Sequence, residues 1–136
     1  MKIIFVASAI LKRENKILIA TRPKNKFLSG YYELPGGKLY SSESFEQCLA
    51  RELFEEIGVK IDINNLKQID IVTHRYKKSI IVIMIYLLEK WRGKIKSKER
   101  QTIHWIKRNE LGKFKFLPAN TRLIKKIDEN YYGFWK

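Results

Sequence analysis

GGKLYSSESFEQCLARELFEEIGV, from Gly36 to Val59, is the stretch whose reading decides the fold. Ser44 is a good helix N-cap, and Gln47 stands three residues on, the spacing of a capping box. Gly58 sits where a left-handed C-terminal residue belongs, so the spacing predicts a helix between them. At about 100° per residue, Glu52, Glu55 and Glu56 fall within an arc of roughly 100°. Leu49, Ala50, Leu53 and Ile57 centre roughly 120° around from them on the same geometry. One face is therefore apolar and made to dock on a sheet, and the next presents three acids.

Acids on adjacent turns repel one another and weaken a helix. Two readings explain their presence: a dense but merely solvated acidic face, or a set of oxygen ligands for a hard divalent cation such as Mg²⁺ or Mn²⁺. Lys and Arg number 28 against 14 Asp and Glu, so such a concentration of acid favours the cation. Arg51 is placed to pair with one acid and orient it. Pro35-Gly36-Gly37 reads as a tight turn that ends a strand, or as a place where backbone approaches a ligand closely. It is not a P-loop, for no Gly-x-x-x-x-Gly-Lys-Ser/Thr string occurs.

Working outward, Lys2 to Leu11 and Lys16 to Thr21 read as strands around the turn Lys12-Arg13-Glu14-Asn15. A polar loop follows from Pro23 to Gly30, then a short strand from Tyr31 to Leu34. Beyond the helix, Val59 to Ile63 is expected to be extended. Ile69 to His74, Ser79 to Leu88 and Thr102 to Ile106 read as strands, rich in Ile and Val. A last helix is predicted from near Ala119 to Asp128, with Leu123, Ile124 and Ile127 inward. The tail Tyr131, Tyr132, Phe134, Trp135 is expected to pack back on the body. Several strands with an early and a late helix imply an α/β arrangement.

The 136 residues suit one domain, 1–136, with 45% apolar content. The apolar run Ser79 to Leu88 falls far short of the ~20 residues of a spanning helix. Met1 to Leu11 reads as a first strand, not a signal segment, since Lys12-Arg13-Glu14 follows without a cleavage pattern. A single cysteine, Cys48, excludes an internal disulfide and suits a reducing cytoplasm. The net charge of +14 favours polyanionic ligands, although the lysines are spread along the whole chain.

Gly37-x5-Glu43-x7-Arg51-Glu52-Leu53-x-Glu55-Glu56-x-Gly58-Val59 is similar to the Nudix box at every defined position. The resemblance implies an α/β/α sandwich with a mixed β-sheet, in which the box forms loop–helix–loop. It also implies that Glu52, Glu55 and Glu56 hold Mg²⁺ (Mn²⁺ as substitute) with the Gly36 carbonyl, while Arg51 and Glu43 orient them. Water would then attack one phosphorus of a nucleoside-linked diphosphate.

Beyond the box the chain resembles the MutT branch, which hydrolyses 8-oxo-dGTP to the monophosphate and pyrophosphate. Leu18 to Arg22, Glu33-Leu34-Pro35-Gly36-Gly37-Lys38, Trp91-x-Gly93, Glu99-x-Gln101 with Trp105, and Leu117-Pro118-Ala119-Asn120 carry that likeness. It implies Glu99 as a further metal ligand and Asn120 as reader of the oxidised purine edge. Arg22, Lys38, Glu33, Leu34 and Lys78 become substrate contacts. Glu99 also lies in a charged run, and Asn120 is equally a candidate cap of the last helix. Leu34 stands where an aromatic residue is frequent, and Ser41-Ser42 where many members have Gly; both leave the base open. The branch implies a small nucleoside triphosphate as partner, with no membrane and no need of nucleic acid, and a cytoplasmic monomer. The rivals are Nudix action on RNA 5′ ends, dinucleoside polyphosphates or modified pyrimidine triphosphates, and a non-catalytic nucleotide-binding module.

Overall fold

The longest run of β-branched and apolar residues at the start of the chain becomes the central strand. In the computed structural model, which describes residues 1–136, β1 runs Lys2–Arg13 and is followed by β2 (Lys16–Thr21). Next come β3 (Tyr32–Glu33), β4 (Gly36–Lys38) and α1 (Phe45–Ile57). The hairpin β5 (Lys67–Tyr76) and β6 (Ser79–Leu88) leads to β7 (Ile103–Lys107) and α2 (Thr121–Asp128).

The sheet is mixed. β1 pairs in parallel with β6 over ten residues, Lys2↔Ser79 to Leu11↔Leu88, and β6 pairs antiparallel with the edge strand β5. On its other side β1 takes β4 antiparallel at Val6, Ala7 and Ser8, and meets β2 only at Lys12 and Arg13. β2 in turn carries β3 and β7.

Because successive side chains of a strand point to opposite faces, β1 serves two cores. Ala7, Ala9 and Leu11 face Cys48, Leu49, Leu53 and Ile57 of α1, joined by Leu18 of β2 and Tyr86 and Leu88 of β6. Ile10 faces the other way, with Ile17, Ile19, Val72, Ile83 and Ile85, against Leu123 and Ile127 of α2. A sheet between two helices is the expected α/β/α layering. The C-terminal tail closes the α2 side through Tyr132, Phe134 and Trp135, while Tyr131, also expected to pack, stays exposed; Trp135 is buried, its indole N–H donating to Ile127 O at 2.7 Å. Tyr132 Oη and Lys126 Nζ both donate to Asp70 on β5, at 2.5 and 2.8 Å.

Several boundaries differ from expectation. β1 continues through Lys12 and Arg13, so the turn is only Glu14-Asn15, with Glu14 at a positive φ of 55°. The expected strand Tyr31–Leu34 shrinks to two residues. Gly36-Gly37 does not end a strand but opens one, because glycine alone lets β4 lie against β1 here. A Cβ on Gly36 would overlap the Ala7 carbonyl and stand 2.8 Å from Ser8 Cα. Val59–Ile63 is no strand: Lys60 alone pairs, with Arg92, and a 3-10 turn begins at Ile63. Pro118–Asn120 forms a 3-10 turn ahead of α2. No helix is long and apolar enough to cross a membrane.

Trp135→Ala removes a large buried ring and the donor to Ile127. We expect it to lower the unfolding free energy by about 3–5 kcal/mol in urea titration.

Candidate active site

α1 starts and stops where its caps dictate. Ser44 Oγ accepts from Gln47 N at 3.0 Å while Gln47 Oε1 accepts from Ser44 N at 2.9 Å. Gly58, at φ 74°, ends the helix. Two ties fix its azimuth on the sheet. Tyr86 Oη donates a short hydrogen bond to Glu46 in the first turn. The Cys48 thiol lies 3.4 Å from the carbonyls of Gly37 and Lys38 and so straps the helix to β4. Burial pushes that thiol up to about 11, so it is a packing group and no nucleophile.

With the helix so placed, its acids fan from core to solvent. Glu56 is buried and accepts from Gly36 N at 3.0 Å. Glu52 lies over Gly37, where an added Cβ would come within 2.6 Å of both its carboxylate oxygens. Glu55 is exposed. Arg51 holds the group together: Nε and Nη2 grip Glu43 at 2.6 and 2.9 Å, and Nη1 donates to Glu52 and Glu55, both at 2.8 Å. Its Nη2 also reaches Lys38 O at 3.1 Å, and the guanidinium stacks on Tyr40 at 3.7 Å. The orienting roles expected of Arg51 and Glu43 thus have a geometric basis. As the side chains stand, no three acid, imidazole or thiol groups are close enough to chelate one ion. Arg51 draws Glu52 and Glu55 toward Glu43, while Glu56 turns to the Gly36 amide.

The carboxyls behave very differently. The hydrogen bonds from Arg51 hold Glu43 down at about 2. Burial pushes Glu52 above the ordinary range, against the pull of Arg51. Burial pushes Glu56 well above it, and the charges of Glu52, Glu33 and Glu99 add to the effect. Burial also raises Glu33, with Arg22 and Lys26 opposing. Glu33 and Glu99, from β3 and from the loop before β7, are therefore within electrostatic reach of the helix acids. Glu33, Glu52, Glu56 and Glu99 offer only oxygen donors, a chemistry that fits Mg²⁺ or Mn²⁺ and not a thiolate-seeking metal, once the side chains that Arg51 and the Gly36 amide hold apart converge.

The remaining expected contacts divide. Arg22 points inward, Nη1 at 3.4 Å from Glu33 Oε1 and Nε donating to Phe27 O at 3.2 Å. Asn120 is buried and does not cap α2; its Oδ1 accepts from Leu34 N at 3.4 Å, beside the Pro35-Gly36 segment. Leu34 itself is buried in the α2-side core. Lys38 is exposed and bonds through its carbonyl. Lys78 lies at the hairpin end of β6, where its carbonyl accepts from Lys2 N at 3.1 Å; no side-chain bond joins it to the acids. Trp91 and Trp105 stack on each other, centroids 6.0 Å apart. No local pattern foretells the Glu46–Tyr86 tie, because its partners are 40 residues apart.

A sandwich whose capped helix carries acids over a glycine-lined strand defines a class before it defines a protein. The NUDIX domain family matches residues 6–126, and the chain belongs to it. It is a hydrolase of diphosphate bonds. The 8-oxo-dGTP diphosphatase of Buchnera aphidicola subsp. Schizaphis graminum is 33% identical over 129 residues, covering 95% of this chain and 96% of its own. The CTP pyrophosphohydrolase of Escherichia coli is 32% identical over 127 residues, 92% and 91% of the two chains. Among solved structures, a MutT from work on Aliivibrio salmonicida and Vibrio cholerae superposes with TM-score 0.80 at 27% identity, covering 95% of this chain and 99% of that one. The E. coli ORF135 protein superposes at 0.82 and 28% identity, covering 98% and 94%.

Two glycines allow opposite tests. Gly36→Ala meets rigid backbone and should lower the melting temperature by several degrees. Gly37→Ala meets only the Glu52 carboxylate. It should leave melting nearly unchanged and cut kcat by about 10²-fold through displacement of that group. In a carbon-detected NMR titration, the Glu43 carboxyl should titrate near 2. Its stabilising pairing with Arg51 is full above the ordinary value of 4.5 and is lost as pH falls through about 2.

Proposed function

We propose that this chain is a Mg²⁺-dependent pyrophosphohydrolase that converts 8-oxo-dGTP to the monophosphate and pyrophosphate, and so keeps an oxidised base out of DNA. The single observation that carries this is the placement of Asn120: buried, uninvolved in capping, and bonded to Leu34 N next to the acid-bearing strand. A side-chain amide donates and accepts at once, which is what reading a purine edge demands. Its bond to Leu34 N, two residues before Gly36, supports a base held within one nucleotide's length of the acids. The naming of relatives from Buchnera, Proteus and Haemophilus as 8-oxo-dGTP diphosphatases supports the same substrate.

In this reading Glu52, Glu55, Glu56 and Glu99, with the Gly36 carbonyl, hold the cation. The cation when bound neutralises charge on the bridging oxygens and makes water a better nucleophile. Arg51 releases Glu52 and Glu55 on demand while retaining Glu43, its tightest partner. Arg22 and Lys38 contact phosphates, Glu33 and Leu34 line the substrate side, and Lys78 sits at the rim. The whole of 1–136 acts as one catalytic domain, as a cytoplasmic monomer.

A second reading has its own support. The CTP pyrophosphohydrolase relative covers the chain about as fully as the purine-directed ones. A pyrimidine triphosphate is its substrate.

Pyrophosphate release with Mg²⁺ from 8-oxo-dGTP, dGTP, CTP, dCTP, a diadenosine polyphosphate and 5′-triphosphorylated RNA decides between them. We expect 8-oxo-dGTP to lead in kcat/KM; a lead by CTP or dCTP replaces the purine reading. Glu52→Gln should lower kcat by at least about 10²-fold, the weight of several kcal/mol of charge stabilisation. Asn120→Ala should reduce the preference for 8-oxo-dGTP over dGTP by about tenfold. Equal loss on both nucleotides would remove Asn120 from base recognition.

A further inference from the structure

Beyond the C-cap of α1 the chain pairs Lys60 with Arg92 through two reciprocal backbone hydrogen bonds, Lys60 N to Arg92 O at 2.9 Å and Arg92 N to Lys60 O at 2.8 Å. In a reciprocally bonded antiparallel pair the two side chains emerge on the same side, about 5 Å apart. Like charges set directly opposite in this way destabilise the pairing unless an anion lies between them. Neither cation has a carboxylate partner within salt-bridge distance, and neither has Lys90.

The pair is also set in a concavity. Lys60, Asp62, Asn65, Lys90, Trp91 and Arg92 line a cleft of about 370 Å³, open to solvent. Its one acid is already engaged, Asp62 Oδ1 accepting from Asn64 N at 2.9 Å. The Trp91 ring packs toward the α1-side core, stacked with Trp105, and the Arg13 guanidinium lies 4.9 Å from its centroid and 5.2 Å from that of Trp105. Three unpaired cations around one cleft are the elements with which proteins hold a phosphate chain. None of these residues belongs to the acid site.

We propose that this cleft is a second binding site, for consecutive phosphates of a polyanion. Lys60 and Arg92 straddle one phosphate and Lys90 takes the next. The chemistry is shared by a single-stranded nucleic acid and a free polyphosphate, and the closing experiment separates the two.

Fluorescein-labelled dT12 is titrated by anisotropy, over a series of salt concentrations, with the full chain and with two double variants that carry the same net charge. Lys60→Ala/Arg92→Ala removes the facing cations. Lys113→Ala/Lys125→Ala removes two exposed lysines elsewhere. The first should weaken binding at least tenfold and flatten the salt slope by about 0.7, the value expected for one phosphate contact on a single strand. The second should stay within about twofold of the unaltered chain. Equal weakening by both, or no weakening by the first, overturns the site in favour of diffuse surface charge. Tripolyphosphate is then added as competitor. Displacement only at large excess assigns the site to a strand; displacement at equal phosphate concentration assigns it to free polyphosphate. Nucleotide hydrolysis by Lys60→Ala/Arg92→Ala should match the unaltered chain, and its loss would merge the cleft with the acid site and overturn the proposal.

Discussion

The backbone of β4 lies on β1 with no room for a methyl group between them at Gly36. Everything distinctive about the molecule follows from that contact. Because β4 hugs β1, the helix that follows can settle on Ala7 and Ala9, side chains small enough to let it approach. Because α1 is that near, a glutamate in its last turn can reach back to the Gly36 amide and another can lie over Gly37. The same closeness strips water from Glu52 and Glu56 and raises their proton affinity. A chemically plain element, two adjacent glycines, thus fixes both the position and the acidity of the side chains around it.

The second requirement is charge balance. Glu43, Glu46, Glu52, Glu55 and Glu56 crowd in and just ahead of one thirteen-residue helix, where each like-charged neighbour costs about 0.2–0.5 kcal/mol. Arg51 answers most of this alone, since a guanidinium offers a planar fork of donors where an ammonium offers only a point charge. Its bonds to Glu43, Glu52 and Glu55 leave Glu46 to Tyr86 and Glu56 to a backbone amide. Three acids share Arg51 and the other two have partners of their own, so the cluster persists without being collectively neutralised.

Much of this was legible in the residues themselves. The caps Ser44 and Gly58, the apolar face of α1, the long β5–β6 hairpin and the docking of Trp135 all rest on local pattern, and local pattern is written along the chain. The glycine pair was misread as a stop because a turn and a tightly packed strand look alike in sequence; only the presence of β1 alongside distinguishes them. Val59–Ile63 looked extended for the same kind of reason: Val59 and Ile61 pack on the α1-side core without the segment taking a strand partner beyond Lys60. Within the site, the spacing showed which acids share a helix face but not that Arg51 would divide them. Nor could it show that Asn120 spans 86 residues to Leu34, a contact that exists only once the sheet is assembled.

The parallel pairing of β1 with β6 has a meaning for how the chain comes off the ribosome. β1 is made first, yet its longest partner is complete only when Leu88 has emerged. Contacts this distant in sequence are slow to form. Until then the nine uncharged residues Ile3 to Leu11 lack that partner, with only the short β4 beside them. The lysines at positions 2, 12 and 16 flank that stretch, and in the interval they act as gatekeepers that keep one growing chain from pairing with another.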